Sequence, residues 1–193
     1  FFFFFFSCYG IVSYQCMEAT PSLACANKCV FCWRHHKNPV GTKWRWKQDP
    51  PEEIVSQAIL RHRKMIHTAK GVPGVKMDRW MAAVRGPKHC ALSLVGEPIM
   101  YPEINQLLGL LDSQGISTFL VTNAQFPDMI RELNPCTQLY ISIDAATRDA
   151  LKAVDRPLFP DFWERFLASI DSLRSKDLYQ RTGKKLLLLS KQA

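Results

Sequence analysis

Residues 102–123 read PEINQLLGLLDSQGISTFLVTN, and the fold class turns on this stretch. Its first part predicts a helix that ends at Gly115. Its second, STFLVTN, is an apolar run bounded by turn-forming residues, the pattern of a strand buried on both faces. The same signals repeat on either side. CALSLVGE (90–97) and LYISIDA (139–145) are further apolar strands, and a first strand is expected around EATPSLA (18–24). Helices are predicted over DPPEEIVSQAILRHRKMIHTAKG (49–71), ATRDALKAVD (146–155) and PDFWERFLASIDSLRSKD (160–177). In the first of these Asp49 is placed as N-cap, prolines stand in the first turn, Glu52 completes a capping box, and Val55, Ile59 and Ile66 share one face. In the last, Phe162, Phe166, Ile170 and Leu173 recur at helical spacing. Apolar strands alternating with amphipathic helices predict an α/β fold with a parallel sheet covered by helices, either open or part of a barrel.

The 193 residues, 47% apolar, suit one domain with its own core. Residues 1–8 form a low-complexity Phe tract with no basic region, long apolar stretch or cleavage site, which excludes a signal peptide or membrane span as its reading. The domain is expected over 9–183. Residues 184–193 read as an aberrant tail, in which Leu186–Leu189 form a short apolar run. Both ends therefore read as the edges of a fragment. Lys and Arg number 25 against 17 Asp and Glu, a net charge of +8, which favours a phosphate-rich partner. Seven cysteines, three of them within eight residues, fit metal ligation in a reducing cytoplasm better than a disulfide framework.

Those three lie in CANKCVFC (25–32), spaced Cys-x3-Cys-x2-Cys and followed by Trp-Arg-His-His, in the loop after the first strand. Such loops carry the sites of parallel α/β folds. A structural zinc ion wants four ligands; no second Cys-x2-Cys occurs, and His35 or His36 would have to complete the set. A cubane cluster held by Cys25, Cys29 and Cys32 instead leaves one iron open to a small molecule.

Cys25, Cys29, Phe31 and Cys32 resemble the signature of radical S-adenosylmethionine enzymes. That resemblance implies a partial (β/α) barrel truncated at both ends and a [4Fe-4S] cluster whose open iron chelates the methionine moiety of S-adenosylmethionine. Electron transfer then cleaves the sulfonium to a 5′-deoxyadenosyl radical. LVGEP, with Gly96 and Glu97, resembles the motif that meets the substrate amino group. Asn123 in VTNA, with Ser142 and Asp144 in YISIDA, falls where family members contact ribose and carboxylate, and Phe31 lies where adenine stacks.

CVFCWRHH, WRWK, KHCALSLVGEPIMYPEI, FLVTNAQFP, LYISIDA and DRPLF resemble, over residues 9 to about 175, the catalytic domain of the tRNA 4-demethylwyosine synthase family. This implies a radical carbon–carbon lyase of wybutosine biosynthesis that joins carbons of pyruvate to N1-methylguanosine-37 of phenylalanine tRNA. It also implies a second cluster, for which Cys16 in YGIVSYQC matches the last ligand while Cys8 matches none. An electron donor is implied as well, which in eukaryotic members is an FMN-bearing flavodoxin-like domain. A Schiff-base lysine for pyruvate is expected, with Lys28 and Lys88 as candidates.

Several residues carry two readings. Glu97 is an ammonium acceptor, or else a solvated loop residue or helix-start carboxylate, and Ser142 and Asp144 are cofactor contacts or helix caps. Trp44 and Trp46, beside Arg45 and Lys47, are a base-stacking surface or core aromatics. Cys90 and Cys136 are expected in the core. Two rival functions remain: a radical enzyme with another substrate, and a non-catalytic metal-binding RNA module.

Overall fold

The computed structural model describes residues 13–34, 37–93, 95–174, 176 and 182–186. The Phe tract, Cys8, His35, His36 and Leu187–Leu189 lie outside them. Five strands, β1 (Cys16–Ala19), β2 (His89–Leu92), β3 (Ser117–Thr122), β4 (Gln138–Ile143) and β5 (Thr182–Leu186), form one sheet in the order β1-β2-β3-β4-β5. Every neighbouring pair is parallel. Six helices run alongside: α1 (Pro51–Thr68), α2 (Met77–Val84), α3 (Ile104–Ser113), α4 (Pro127–Glu132), α5 (Arg148–Asp155) and α6 (Phe162–Arg174). Among the described residues no helix is long and apolar enough to cross a membrane.

Strand order without reversal matters, because right-handed crossovers taken always in one direction leave every helix on the same face. The burial pattern agrees. Met17, Cys90, Leu92, Leu120, Leu139 and Ile141 point into one large core with Val55, Leu107, Ile130, Leu151 and Phe166 from the helices. The alternate strand positions, Ala91, Phe119 and Tyr140 with Cys16 and Val121 against them, make a separate small cluster on the opposite face. This is the arrangement of one side of a (β/α) barrel rather than of an open sheet wound on both faces.

The structure corrects several local expectations. The first strand is Cys16–Ala19, two residues earlier than EATPSLA; Thr20 and Pro21 end it, and Thr20 turns its hydroxyl to the carbonyls of Ser22 and Val95 at 2.9 and 2.7 Å. Asp49 is not the cap of α1. Pro50 occupies that position without a side-chain cap, Pro51 takes the first turn, and Glu52 accepts from Gln106 at 2.7 Å instead. Helices α2 and α4, absent from the sequence reading, are short, at eight and six residues. The fifth strand pairs with β4 from Thr182 to Leu186, so it crosses the 183/184 boundary suggested by composition and takes only Leu186 of the terminal leucine run. Gly115 does close α3, at φ 69°. Cys90 and Cys136 are buried in the core as expected.

Candidate functional site

At the carboxyl ends of the strands a cleft of about 170 Å³ opens. Cys25, Cys29 and Cys32 line it, together with Phe31 and Trp33 from the same loop. Gly96 and Glu97 after β2, Asn123 after β3, and Ser142 and Asp144 at the end of β4 complete the wall. The residues that sequence motifs singled out one at a time, up to 119 positions apart in the chain (144 − 25), thus converge.

The cysteine loop has no regular structure of its own and borrows backbone partners on two sides. Cys25 bridges Val40 in parallel, donating to the Pro39 carbonyl at 3.3 Å and accepting from the Gly41 N–H at 3.1 Å. Asn27 bridges Pro157, while the Lys28 and Val30 N–H groups reach the carbonyls of Asp155 and Val154 at 3.0 and 2.9 Å. The end of α5 therefore forms a hook beneath the cysteines, shaped by Arg156, which turns the chain at φ 45°. Asp155 is buried at its centre, 3.4 Å from the Asn27 amide and beside Cys29; burial and the neighbouring Asp144 push its carboxyl up to about 7. No spacing rule in the sequence points to Asp155 or Asn27. Their only signal was membership in DRPLF and the cysteine loop.

Gly96 shows why the second motif needs glycine. At φ 75° it packs so tightly that a Cβ would meet the Ser22 carbonyl oxygen at 2.0 Å. The close approach lets the Glu97 N–H reach the Ala24 carbonyl at 2.7 Å, locking this turn to the cysteine loop. Glu97 is then buried, at 2% exposure. Its Oε2 accepts the Asn123 N–H at 2.9 Å, and its Oε1 has no hydrogen-bond partner. Burial pushes the carboxyl up to about 7 against the Thr122 hydroxyl and the N–H groups of Asn123 and Ile99, which favour the charged form. A buried acceptor left open is costly unless something donates to it, so Oε1 is the strongest mark of a ligand position here.

Asn123 ties the wall together: its Nδ2 lies 3.5 Å from the Cys25 sulfur and its Oδ1 accepts the Gln125 N–H at 3.1 Å. The next residue, Ala124, holds a left-handed φ of 62°, stabilised by the Ser169 hydroxyl donating to its carbonyl at 2.7 Å. Strain held in place by a buried helix side chain marks a turn whose shape is fixed for use.

The alternative readings separate. Thr147, not Ser142 or Asp144, caps α5, accepting the Ala150 N–H at 3.4 Å, so the latter two face the cleft for another reason. Trp44 and Trp46 pack on the core and meet edge to face at 5.6 Å, with Tyr101 at 5.9 Å from Trp44. They are not a free stacking surface. Lys28 is exposed on the cysteine loop, and neither it nor Lys88 lines the cleft. Lys88 precedes β2, at the amino end of the sheet, a strand length or ~13 Å away. Cys16 opens β1 on the helix-free face at that same end, its thiol pushed up to about 11 by burial.

The donor set suits an iron-sulfur cubane. Among the described residues no group of three His, Cys, Asp or Glu is placed to share a single metal ion. Three thiols distributed along one wall fit a cluster in which each binds a different iron. Burial, with the Glu97 charge second, pushes the Cys25 thiol up to about 12, so cluster assembly must displace protons.

The pattern of the Radical SAM superfamily matches residues 20–185, and the chain belongs to that family. Membership implies a [4Fe-4S] cluster and S-adenosylmethionine. Over 183 residues the chain is 67% identical to the S-adenosyl-L-methionine-dependent tRNA 4-demethylwyosine synthase of Oryza sativa subsp. japonica, covering 95% of itself and 28% of that protein. It is 64% identical to the Homo sapiens synthase TYW1, covering 94% and 24%. The chain thus spans about a quarter of the length of these relatives. Among solved structures it resembles TYW1 with a lysine-pyruvate adduct bound, at TM-score 0.82 and 31% identity over 95% of this chain and 58% of that one. It also resembles an archaeal TYW1, at TM-score 0.76 and 28% identity over 97% and 60%.

Proposed function

We propose that the chain is the catalytic core of a tRNA-modifying radical enzyme that joins carbons of pyruvate to N1-methylguanosine-37 of phenylalanine tRNA, forming 4-demethylwyosine. The observation that carries this reading is one cleft holding Cys25, Cys29, Cys32 and a buried Glu97 with an open Oε1. The likeness to named synthases supports the substrate. When bound, the cluster and S-adenosylmethionine supply a carbon-centred radical able to abstract hydrogen from an unactivated methyl group.

The chain's own residues hold and aim this chemistry. Cys25, Cys29 and Cys32 carry the cluster. Glu97 Oε1 accepts from the ammonium of the cofactor, an ionic hydrogen bond that also keeps the carboxyl charged. Asn123, Ser142 and Asp144 contact the ribose and carboxylate, and Phe31 meets the adenine. The cleft's apolar wall, with Val121 and Pro98, limits water around a reactive intermediate. A net charge of +8 draws the tRNA, and the target base leaves its stack to enter the cleft. Pyruvate capture requires a lysine or a cluster position beyond the described cleft wall, since that wall contains no lysine. An external donor supplies the electron.

Anaerobic reconstitution with iron and sulfide tests the class. A brown chain that releases 5′-deoxyadenosine from S-adenosylmethionine under dithionite is the expected result, and a colourless chain binding one zinc overturns it. Labelled pyruvate carbon appearing in tRNA that bears N1-methylguanosine tests the substrate. Cofactor cleavage coupled to a different acceptor would keep the class and overturn the tRNA assignment.

A further inference from the structure

An exposed aromatic on the cleft wall, and exposed cations on the segment that follows the bridge to Cys25, are not used by cluster and cofactor binding. Trp33 follows Cys32, lines the cleft and is 73% exposed, more than any other large apolar side chain among the described residues. An indole left in water on a cleft wall offers a wide flat face to a planar partner. On the other side of the cysteine loop, beyond the Cys25–Val40 bridge, residues 43–47 alternate strictly. Trp44 and Trp46 turn inward onto the core, and Gly41 is flush against the Trp46 ring, where a Cβ would meet it at 3.1 Å. Alternating with the inward-turned indoles, Lys43, Arg45 and Lys47 are all exposed, on a segment that bends at Thr42, Lys43 and Trp46. Among the described residues none of the three is in an ion pair; Arg45 lies 5.6 Å over the Trp46 ring and donates to the Val40 carbonyl at 3.5 Å. Lys43 is three residues from Val40, no more than about 11 Å of chain from the Cys25 bridge.

We propose that this rim is an edge for single-stranded RNA, on which Trp33 stacks with an unpaired base while Lys43, Arg45 and Lys47 take the flanking phosphates. The inference rests on the tRNA reading above and adds which surface of the chain meets the RNA. An unpaired base supplies the planar face, and the phosphates that flank it supply charges for the exposed cations. An acidic polypeptide matches the cations but leaves the indole without a planar partner.

The test uses the reconstituted chain and a fluorescein-labelled anticodon stem-loop RNA, titrated by fluorescence anisotropy from about 50 to 200 mM salt. Trp33→Ala is expected to weaken binding about tenfold at every salt concentration, without changing the dependence of log affinity on log salt. Trp33→Phe should recover most of that loss, since it restores a ring, and the exposed position predicts an unchanged unfolding midpoint for both. Lys43→Gln with Lys47→Gln should lower the salt slope by about 1.5. Unaltered affinity in Trp33→Ala, or an unaltered slope in the lysine pair, overturns the rim and leaves the tRNA reading standing. If the unsubstituted chain fails to bind the stem-loop, both fall. Competition by polyglutamate as effective as by unlabelled RNA would mark a surface for acidic polypeptides and overturn the assignment.

Discussion

Cys90 and Cys29 are the same residue in opposite settings. Cys90 stands in the middle of β2, 1% exposed, paired in register with Met17 and enclosed by the helix-covered core. Cys29 lies in a loop whose backbone is held by one local turn, the Cys32 N–H donating to the Cys29 carbonyl at 3.1 Å, and by distant segments; it is partly exposed beside Cys32, which is exposed outright. Burial pushes the Cys90 thiol up to about 12 and also raises that of Cys29, so thiol acidity alone does not tell a packing cysteine from one that lines the cleft. What separates them is backbone: a regular strand spends every N–H on its neighbours, whereas the loop presents thiols and open polar groups to a cleft. Among the described residues that line the cleft, Glu97 alone keeps a buried oxygen without a hydrogen-bond partner.

That contrast is broken most severely by Cys29→Ala, which should abolish cluster assembly and cofactor cleavage together; normal iron content in this variant would refute the ligand assignment. Next comes Glu97→Gln, which removes an ionic hydrogen bond of about 1.5 to 3 kcal/mol and should weaken S-adenosylmethionine binding by one to two orders of magnitude, roughly, with the cluster intact. The same carboxyl predicts a pH dependence. Its value in the free chain is about 7, so it is ionised above that pH and protonated below it. Cofactor affinity should be flat above pH 7 and fall below it, levelling off after a loss of about one to two orders of magnitude, and Glu97→Gln should remove the trend. Equilibrium dialysis across pH decides, and a pH-dependent Glu97→Gln would assign the trend to another group.

Smaller effects lie on the core side. Cys90→Ala should cost about 1 kcal/mol in denaturant unfolding, through lost packing, and leave iron content unchanged. Iron loss in this variant would mean that the core and the cleft are not separable. His62 is buried on α1 with its Nε2 unpartnered, and burial lowers its pKa. A folded-state value below the unfolded one, about 6.5, means that stability is fully present above pH 6.5 and is lost as pH falls through the lowered value. The loss should not exceed about 1.4 kcal/mol per pH unit, and His62→Leu should flatten it in pH-dependent thermal unfolding.

The apolar runs at 90–92, 117–122 and 138–143 were legible as strands because burial on both faces requires continuous apolar sequence, and the long helices were legible from their period. Cys25, Cys29, Cys32 and the glycine before Glu97 stood out in the sequence by their spacing and motif, and the fold brings them into one cleft. Short elements such as α2 and α4 were not, since eight and six residues hold too few turns for a period to show. Nor could sequence choose between Trp33 and Trp46 as the exposed indole. The hook of Asp155 beneath Cys29 joins positions 126 apart (155 − 29). Local pattern determines which residues share a face of one element. Which elements meet, and therefore which buried carboxylate is left with an open oxygen in a cleft of thiols, is decided only when the parallel crossovers bring the strand ends together.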